Sequence, residues 1–246
     1  MAERAMQLQQ VRIDALANNL ANVDTAGFKQ ILTSVTEQAS AGSAQGGLNG
    51  LYGRGVWGPV AGLNLQQATD QRPGATYATG RDTDLALVGE GYFVLQTEEG
   101  QELYSRNGSF VLDDKHRLIT PDGLAVVGSG GPLTIEGGSF SVGRDGSVLV
   151  DGNSVGTLRV VSFSDPGRLE HRGTGRLAAP PDMPAQDVPK EQLQISQGYL
   201  EGSNVNPIDT LVSLIAAQRA FEIEAKILQS NDETLQRSVN DLPRTT

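Results

Sequence analysis

Apolar residues at the start of the chain recur on alternating three- and four-residue steps. Met6, Ile13, Leu16, Leu20 and Val23 fall on one stripe once Gln9 is counted as a polar gap in it. That period predicts an amphipathic helix with a single seam. Asp24-Thr25-Ala26-Gly27 should end it, because Asx, β-branched and glycine residues favour a turn there. Residues 39–62 are dominated by Gly, Ser, Ala and Asn, with Leu48, Leu51, Tyr52, Val56 and Trp57 scattered among them. This composition reads as a flexible connection, or as a segment that orders against a neighbour through those apolar anchors.

From about Leu85 to Phe163 the pattern changes to short strand-like runs bounded by turn signals. Leu85-Ala86-Leu87-Val88, Tyr92-Phe93-Val94-Leu95-Gln96, Phe110-Val111-Leu112, Leu118-Ile119, Ala125-Val126-Val127, Leu133-Thr134-Ile135, Ser147-Val148-Leu149-Val150 and Leu158-Arg159-Val160-Val161 are the runs. Asp122-Gly123, Asp145-Gly146 and Asp151-Gly152 are tight-turn dipeptides, since glycine accepts positive φ without steric cost. A compact antiparallel β domain follows from such punctuation. Between Pro166 and Pro189 periodicity is lost and Pro, Gly and Arg collect, which predicts an extended return segment.

The end of the chain predicts a second, longer helix. Asn206 is placed to cap the orphan N–H groups, Pro207 suits the first helical position, and Asp209 complements the positive helix end. No Pro or Gly then occurs until Pro243, enough for a helix of about 54 Å at ~1.5 Å per residue. Its apolar residues include Ile208, Leu211, Leu214, Ile215, Phe221, Ala225, Leu228, Leu235, Val239 and Leu242. Helix propagation alone is close to neutral, so burial decides. Covering six such side chains contributes roughly 9 to 18 kcal/mol before the entropy of docking is subtracted. The shorter N-terminal seam is the internal partner, and the remainder of the C-terminal stripe is left for other subunits.

Composition narrows the function classes. With 30 Gly, 11 Pro and 5% aromatic residues in 246, the chain favours short strands and many turns over a large helical core. A net charge of −10 argues against nucleic acid, whose phosphates it would repel. There is no cysteine, which removes disulfides and thiolate metal sites. Residues 1–14 place charges inside what would be the apolar region of a signal peptide, so export is expected without an ordinary cleaved leader. No stretch approaches the ~20 apolar residues of a membrane span, and membrane insertion is not expected.

Catalytic constellations are weak. The acidic pairs Asp82/Asp84 and Asp113/Asp114 are general acid and base candidates, but each sits beside turn residues and reads as a solvated strand end. His116 and His171 lack a second nearby histidine or an HExxH spacing. Gly128-Ser129-Gly130-Gly131 is followed by Pro132 and a strand, where a phosphate cradle needs a helix. No GxSxG elbow occurs. No catalytic, cofactor-binding or metal site is therefore assigned.

Two motifs frame the chain: ANNLANVDTAGFK, Ala17 to Lys29, and LEGSNVNP, Leu200 to Pro207, followed by Gln218-Arg219-Ala220-Phe221-Glu222 in the long helix. Together they resemble the flagellar rod and hook family. DTDLALVGEGYFVL (Asp82 to Leu95), YSRNGSFVLD (Tyr104 to Asp113), GGPLTI (Gly130 to Ile135) and VGTLRVVSFSDPGRL (Val155 to Leu169) are similar to the β domain of its rod members, so the resemblance runs through nearly the whole chain. GGPLTI, LRVVSFSDP and LEGSNVNP are more like proximal than distal rod members, whereas Gln197-Gly198-Tyr199 is also similar to the distal form. Members carry a further helical stretch before the Ala-Asn-Asn motif. By this resemblance the chain begins partway through it, and its N-terminal helix is expected to be the weaker of the two.

The expected fold is α+β, mainly β. The expected units are an N-terminal helix and signature over 1–29, a Gly/Ser-rich connecting segment over 30–80, a central antiparallel β domain over 81–190, and a return segment with the long helix over 191–246. The terminal helices are expected to pair as a coiled-coil-like stem. The resemblance implies a structural subunit of the basal-body rod in the periplasm, which transmits torque and continues the export channel. It also implies assembly with itself and with other rod and hook axial proteins after delivery by the flagellar export apparatus. The assembly residues expected are Ile13, Leu16, Asn18, Asn19, Leu20, Asn22, Gly27 and Phe28 at one end, and Ser203, Asn204, Val205, Asn206, Pro207, Leu211, Ile215, Phe221, Leu228 and Leu235 at the other. A cell-wall-processing enzyme built on the acidic pairs and a surface-binding β module are the alternatives from other classes.

Overall fold

Asn206 closes the start of the longer helix as its sequence predicts: its Oδ1 accepts the N–H groups of Ile208 at 3.0 Å and Asp209 at 3.4 Å. That helix, α2 (Pro207–Asn240), and the N-terminal α1 (Ala2–Ala21) are the two α-helices of a computed structural model that describes residues 2–37, 63–173 and 175–240. Leu48, Leu51, Tyr52, Val56, Trp57 and Leu242 lie outside the described residues, as do the side chains of Leu235 and Val239.

The remaining elements are mostly short strands. After α1 come β1 (Ile31–Glu37), β2 (Leu63–Thr69) and β3 (Thr76–Ala78). The central body holds β4 (Leu85–Leu87), β5 (Tyr92–Gln96), β6 (Glu102–Ser105), β7 (Val111–Leu112), β8 (Leu118–Ile119), β9 (Ala125–Gly128), β10 (Gly131–Pro132), β11 (Phe140–Val142), β12 (Ser147–Val150), β13 (Asn153–Thr157) and β14 (Val160–Ser162). The return adds β15 (Glu170–His171), β16 (Arg176–Ala178), β17 (Gln186–Asp187), β18 (Ile195–Gln197) and β19 (Tyr199–Glu201).

Ten of these strands join in one sheet ordered β15-β16-β6-β5-β9-β8-β7, with β10 on β9, β14 on β5 and β17 on β14. Alternation along β5 buries both of its faces. Phe93 and Leu95 enter one apolar cluster with Phe110, Leu118, Ile135, Val148 and Leu158, while Tyr92 and Val94 enter another with Tyr104, Val161, Phe163 and Met183. Phe93 and Phe110 meet edge to face with centroids 5.2 Å apart, a geometry that suits the ring quadrupoles. A separate hairpin sheet, β11-β12-β13, turns at Asp151-Gly152, where both residues have positive φ (48° and 83°) as a primed turn requires.

Two regions carry more structure than their composition announces. The segment expected to connect, 30–80, contains a seven-residue antiparallel ribbon of β1 on β2, and β3, which pairs with β19. The aperiodic return contains β15, β16 and β17, too short to show a period, and it buries Leu169, Leu177 and Met183. Leu133 and Ile135 are buried as the strand reading predicts, but the strand itself lies at Gly131–Pro132, and Thr134 makes only a single bridge to Arg117.

Candidate assembly interface

The segment that leaves α1 and the segment that leads into α2 meet at a junction beside the β domain, and most motif residues act there within the molecule. The Asn19 carboxamide clasps the backbone of Ile31 at both ends, donating to its carbonyl at 2.8 Å and accepting its N–H at 2.8 Å. Asn19 is fully buried, and this pair satisfies both halves of its amide. Asn18 is exposed, and Asn22 donates to its carbonyl at 2.9 Å while accepting the Thr25 hydroxyl at 3.1 Å, which closes the end of α1. Gly27 takes φ +66° and donates its N–H to the Glu201 carbonyl at 2.7 Å. A Cβ there would lie 2.3 Å from the carbonyl carbon of Arg106, so only glycine fits. Phe28 is buried beneath the His171 ring, with centroids 6.3 Å apart.

The second motif answers the first. Asn204 accepts the Gln30 N–H at 2.8 Å and donates to the carbonyls of Asp70 at 2.9 Å and Arg72 at 3.0 Å. The Ser203 hydroxyl accepts the Val205 N–H at 3.2 Å, and Val205 is buried. Pro207 opens α2 where no N–H is needed.

At the centre lies a buried charge cluster that periodicity and turn signals do not reveal. Lys29 Nζ donates to Glu201 Oε1 at 2.6 Å and to the Arg72 carbonyl at 2.9 Å. Glu201 Oε1 also accepts the Gly74 N–H at 3.0 Å, and Oε2 faces Arg106 Nη1 at 3.6 Å. All three charged side chains are at most 6% exposed. Arg106 donates to the carbonyls of Leu87 and Gly89 and stacks over the Tyr92 ring. Burial pulls the Lys29 ammonium below its ordinary value even with Glu201 against it, and burial pushes the Tyr92 hydroxyl up to about 12. Asp70, held low mainly by its hydrogen bonds from Arg72, flanks the cluster. Lys29 closes one quoted motif and Glu201 is the second residue of the other, and a single charge beside an apolar residue, Phe28 or Leu200, is the only signal sequence offers for them.

Beyond the junction, α1 and α2 lie against each other and run antiparallel, because the end of one and the start of the other both leave the junction. On α2, Thr210, Leu214, Ala217, Phe221, Glu224 and Leu228 recur at alternating four- and three-residue steps and are buried or half-buried. On α1, Ala15 and Asn19 are buried, and Ile13, Leu16 and Leu20 are half-buried.

The apolar residues of α2 thus divide between two faces, where the sequence suggests one stripe. Ile208 (72% exposed), Leu211, Val212 (62%), Ile215, Ile223 and Ile227 point away from α1. Val212 is two residues from Leu214 and Ile215 two from Ala217, a rotation of about 200°, so the exposed stripe is diametrically opposite the packed one. Large aliphatic residues repeated along about 28 Å of solvent-facing helix, at ~1.5 Å per residue, are not a feature of a finished surface.

The acidic pairs are placed as turn and strand-end residues. Asp84 is buried 3.9 Å from Arg81, and Asp113 caps its own turn. Burial alone would raise the Asp113 carboxyl, but the N–H groups of Arg117 and Lys115 and the Arg117 side chain hold it below its usual range. Among the described residues no group of three His, Asp or Glu side chains could hold a metal ion, and no helix is long and apolar enough to cross a membrane.

Three family models match the chain in succession. They are the flagella basal body rod protein model over residues 1–29, the flagellar hook protein FlgE/F/G D1 domain over 86–150, and the flagellar basal body rod FlgEFG protein C-terminal model over 196–242. The flagellar basal-body rod protein FlgG of Bacillus subtilis is 33% identical over 94% of this chain and 93% of its own length. The rod protein FlgF of Caulobacter vibrioides is 34% identical over 97% and 94%, and that of Salmonella typhimurium 30% identical over 88% and 86%. Relatives of both names therefore align along nearly the full length at similar identity, and the chain belongs to the flagellar basal-body rod protein family.

Proposed function

We propose that this protein is a structural subunit of the flagellar basal-body rod, which assembles through the outward apolar face of α2. The observation that carries the reading is the stripe Ile208, Leu211, Val212, Ile215, Ile223 and Ile227, left uncovered after α1 has taken the opposite face. At roughly 1.5 to 3 kcal/mol per covered aliphatic side chain, burying it in a neighbour supplies ample drive for polymerisation. The neighbours are further copies of the chain and other rod and hook axial proteins. In this reading α1 and α2 form a coiled-coil-like stem on the inner side of a tube, and the β domains face outward. The tube transmits torque and continues the export channel, and its subunits reach the periplasm through the flagellar export apparatus. The motif residues Asn19, Gly27, Phe28 and Asn204 serve assembly by holding the stem in position, while Leu211 and Ile215 touch the neighbour directly. Position in the proximal rod is supported by GGPLTI, LRVVSFSDP and LEGSNVNP. The test is a tagged chain in purified basal bodies: it should be recovered in the rod of the wild type and lost with Leu211→Asp, and recovery of Leu211→Asp in the rod would overturn the assignment of this face.

A further inference from the structure

We infer that Glu201, gripped by Lys29 and Arg106, is a lock that holds the helical stem at one fixed angle to the β domain. The three residues belong to three different segments: Lys29 to the arm leaving α1, Arg106 to the β domain after β6, and Glu201 to the end of β19 on the way to α2. No part of the stem can swing without separating at least one of these charges from Glu201.

The surrounding backbone leaves such a lock a role. The crossing segments touch through glycines: a Cβ on Gly27 would meet the Arg106 backbone at 2.3 Å, and one on Gly74 would meet the Gly202 carbonyl oxygen at 2.0 Å. Close backbone approach leaves no interdigitated side chains at these points, and it is interdigitation that ordinarily fixes an angle. Phe28 and Val205 supply apolar burial at the junction, but apolar contact is non-directional. The hydrogen bonds of Asn204 and of the Gly27 N–H fix the two arms against each other, and the charged contacts add direction toward the β domain: they are short on one side, where Lys29 Nζ is 2.6 Å and the Gly74 N–H 3.0 Å from Oε1, and longer on the other, where Arg106 Nη1 is 3.6 Å from Oε2. Glu201 Oε2 and Arg106 Nε have no hydrogen-bond partner. An apolar junction would serve stability as well as an ion cluster does, so the cluster is explained by orientation.

The absence of cysteine permits a direct test on the dilute monomer. Spin labels are placed at Gln218→Cys on α2 and Glu98→Cys on the β domain, both exposed positions, and the distance distribution is measured by double electron–electron resonance. The parent should give one narrow distribution. Glu201→Gln, which strands two buried cations, should at least double its width while the β domain keeps its near-ultraviolet dichroism. Lys29→Met, which leaves Glu201 facing Arg106, should broaden it less, and the double replacement should be narrower than Glu201→Gln alone. Parental widths in both single variants would overturn the inference. So would loss of the β-domain signal in both, since the cluster would then belong to the core of the β domain. The readout is intramolecular and holds whether or not the protein enters a rod.

Discussion

Lys29 and Glu201, 172 positions apart in the chain, face each other at 2.6 Å with both side chains withdrawn from water. Removing one partner of such a pair leaves an uncompensated buried charge, which costs far more than the intact pair contributes. Glu201→Ala is therefore expected to lower unfolding free energy by about 3–5 kcal/mol, read as a shift in the urea midpoint at constant slope. A change within ~0.5 kcal/mol, the range of surface substitutions, would mean that the pair is solvated and contributes no more than a surface ion pair does.

The two faces of α2 predict opposite outcomes. Leu211→Asp and Val212→Asp lie on the exposed face and should leave monomer stability within about 0.5 kcal/mol while abolishing motility. Ala217→Asp, on the packed face at a residue that is 3% exposed, should loosen the helix pair already in the monomer. Helical dichroism and a swarming assay distinguish the two classes.

Gly27→Ala forces a side chain into φ +66°, a strain of roughly 1–2 kcal/mol, and drives its Cβ against the Arg106 backbone. The expected result is a drop in melting temperature together with faster hydrogen exchange at Ile31, whose N–H depends on Asn19 being seated. Unchanged exchange at Ile31 would separate the glycine from the clasp.

His171 is half-buried over Phe28 with its Nε2 3.0 Å from the Thr69 hydroxyl, and burial lowers its pKa from 6.5. The unfolded chain then binds the proton more readily than the folded one, so stability from this group is fully present above pH 6.5 and is lost as pH falls through the depressed folded value. His171→Gln should flatten that part of the stability profile between pH 7.5 and 5. An identical slope in the variant would assign the loss to other groups.

Much of this arrangement is legible in the sequence where a local rule governs it. Asn206, Pro207 and Asp209 predict the start of α2, and Tyr92–Gln96, Leu118–Ile119 and Ser147–Val150 are strands with the bounds their runs suggest. Nonlocal features are not legible. The ribbon of β1 on β2 is hidden because ILTSVTE and LNLQQAT gain their pairing from each other and not from alternation. Periodicity finds that α2 is apolar, but a 3.5-residue stripe wide enough to include Leu211, Leu214 and Ile215 does not say that α1 covers only Leu214 among them. Asn19, Gly27 and Asn204 are found by resemblance. Their partners Ile31, Arg106 and Gln30 emerge only when the chain is folded.

The central claim, that the outward face of α2 joins this protein to its neighbours in the rod, is tested most directly by a photocrosslinking amino acid at Val212 in motile cells. Irradiation followed by purification of basal bodies should yield adducts to a second copy or to another rod or hook axial protein, within the basal-body fraction. Adducts confined to the cell body, or none from Val212 while the same probe at Val155 on the β domain crosslinks to axial neighbours, would contradict it.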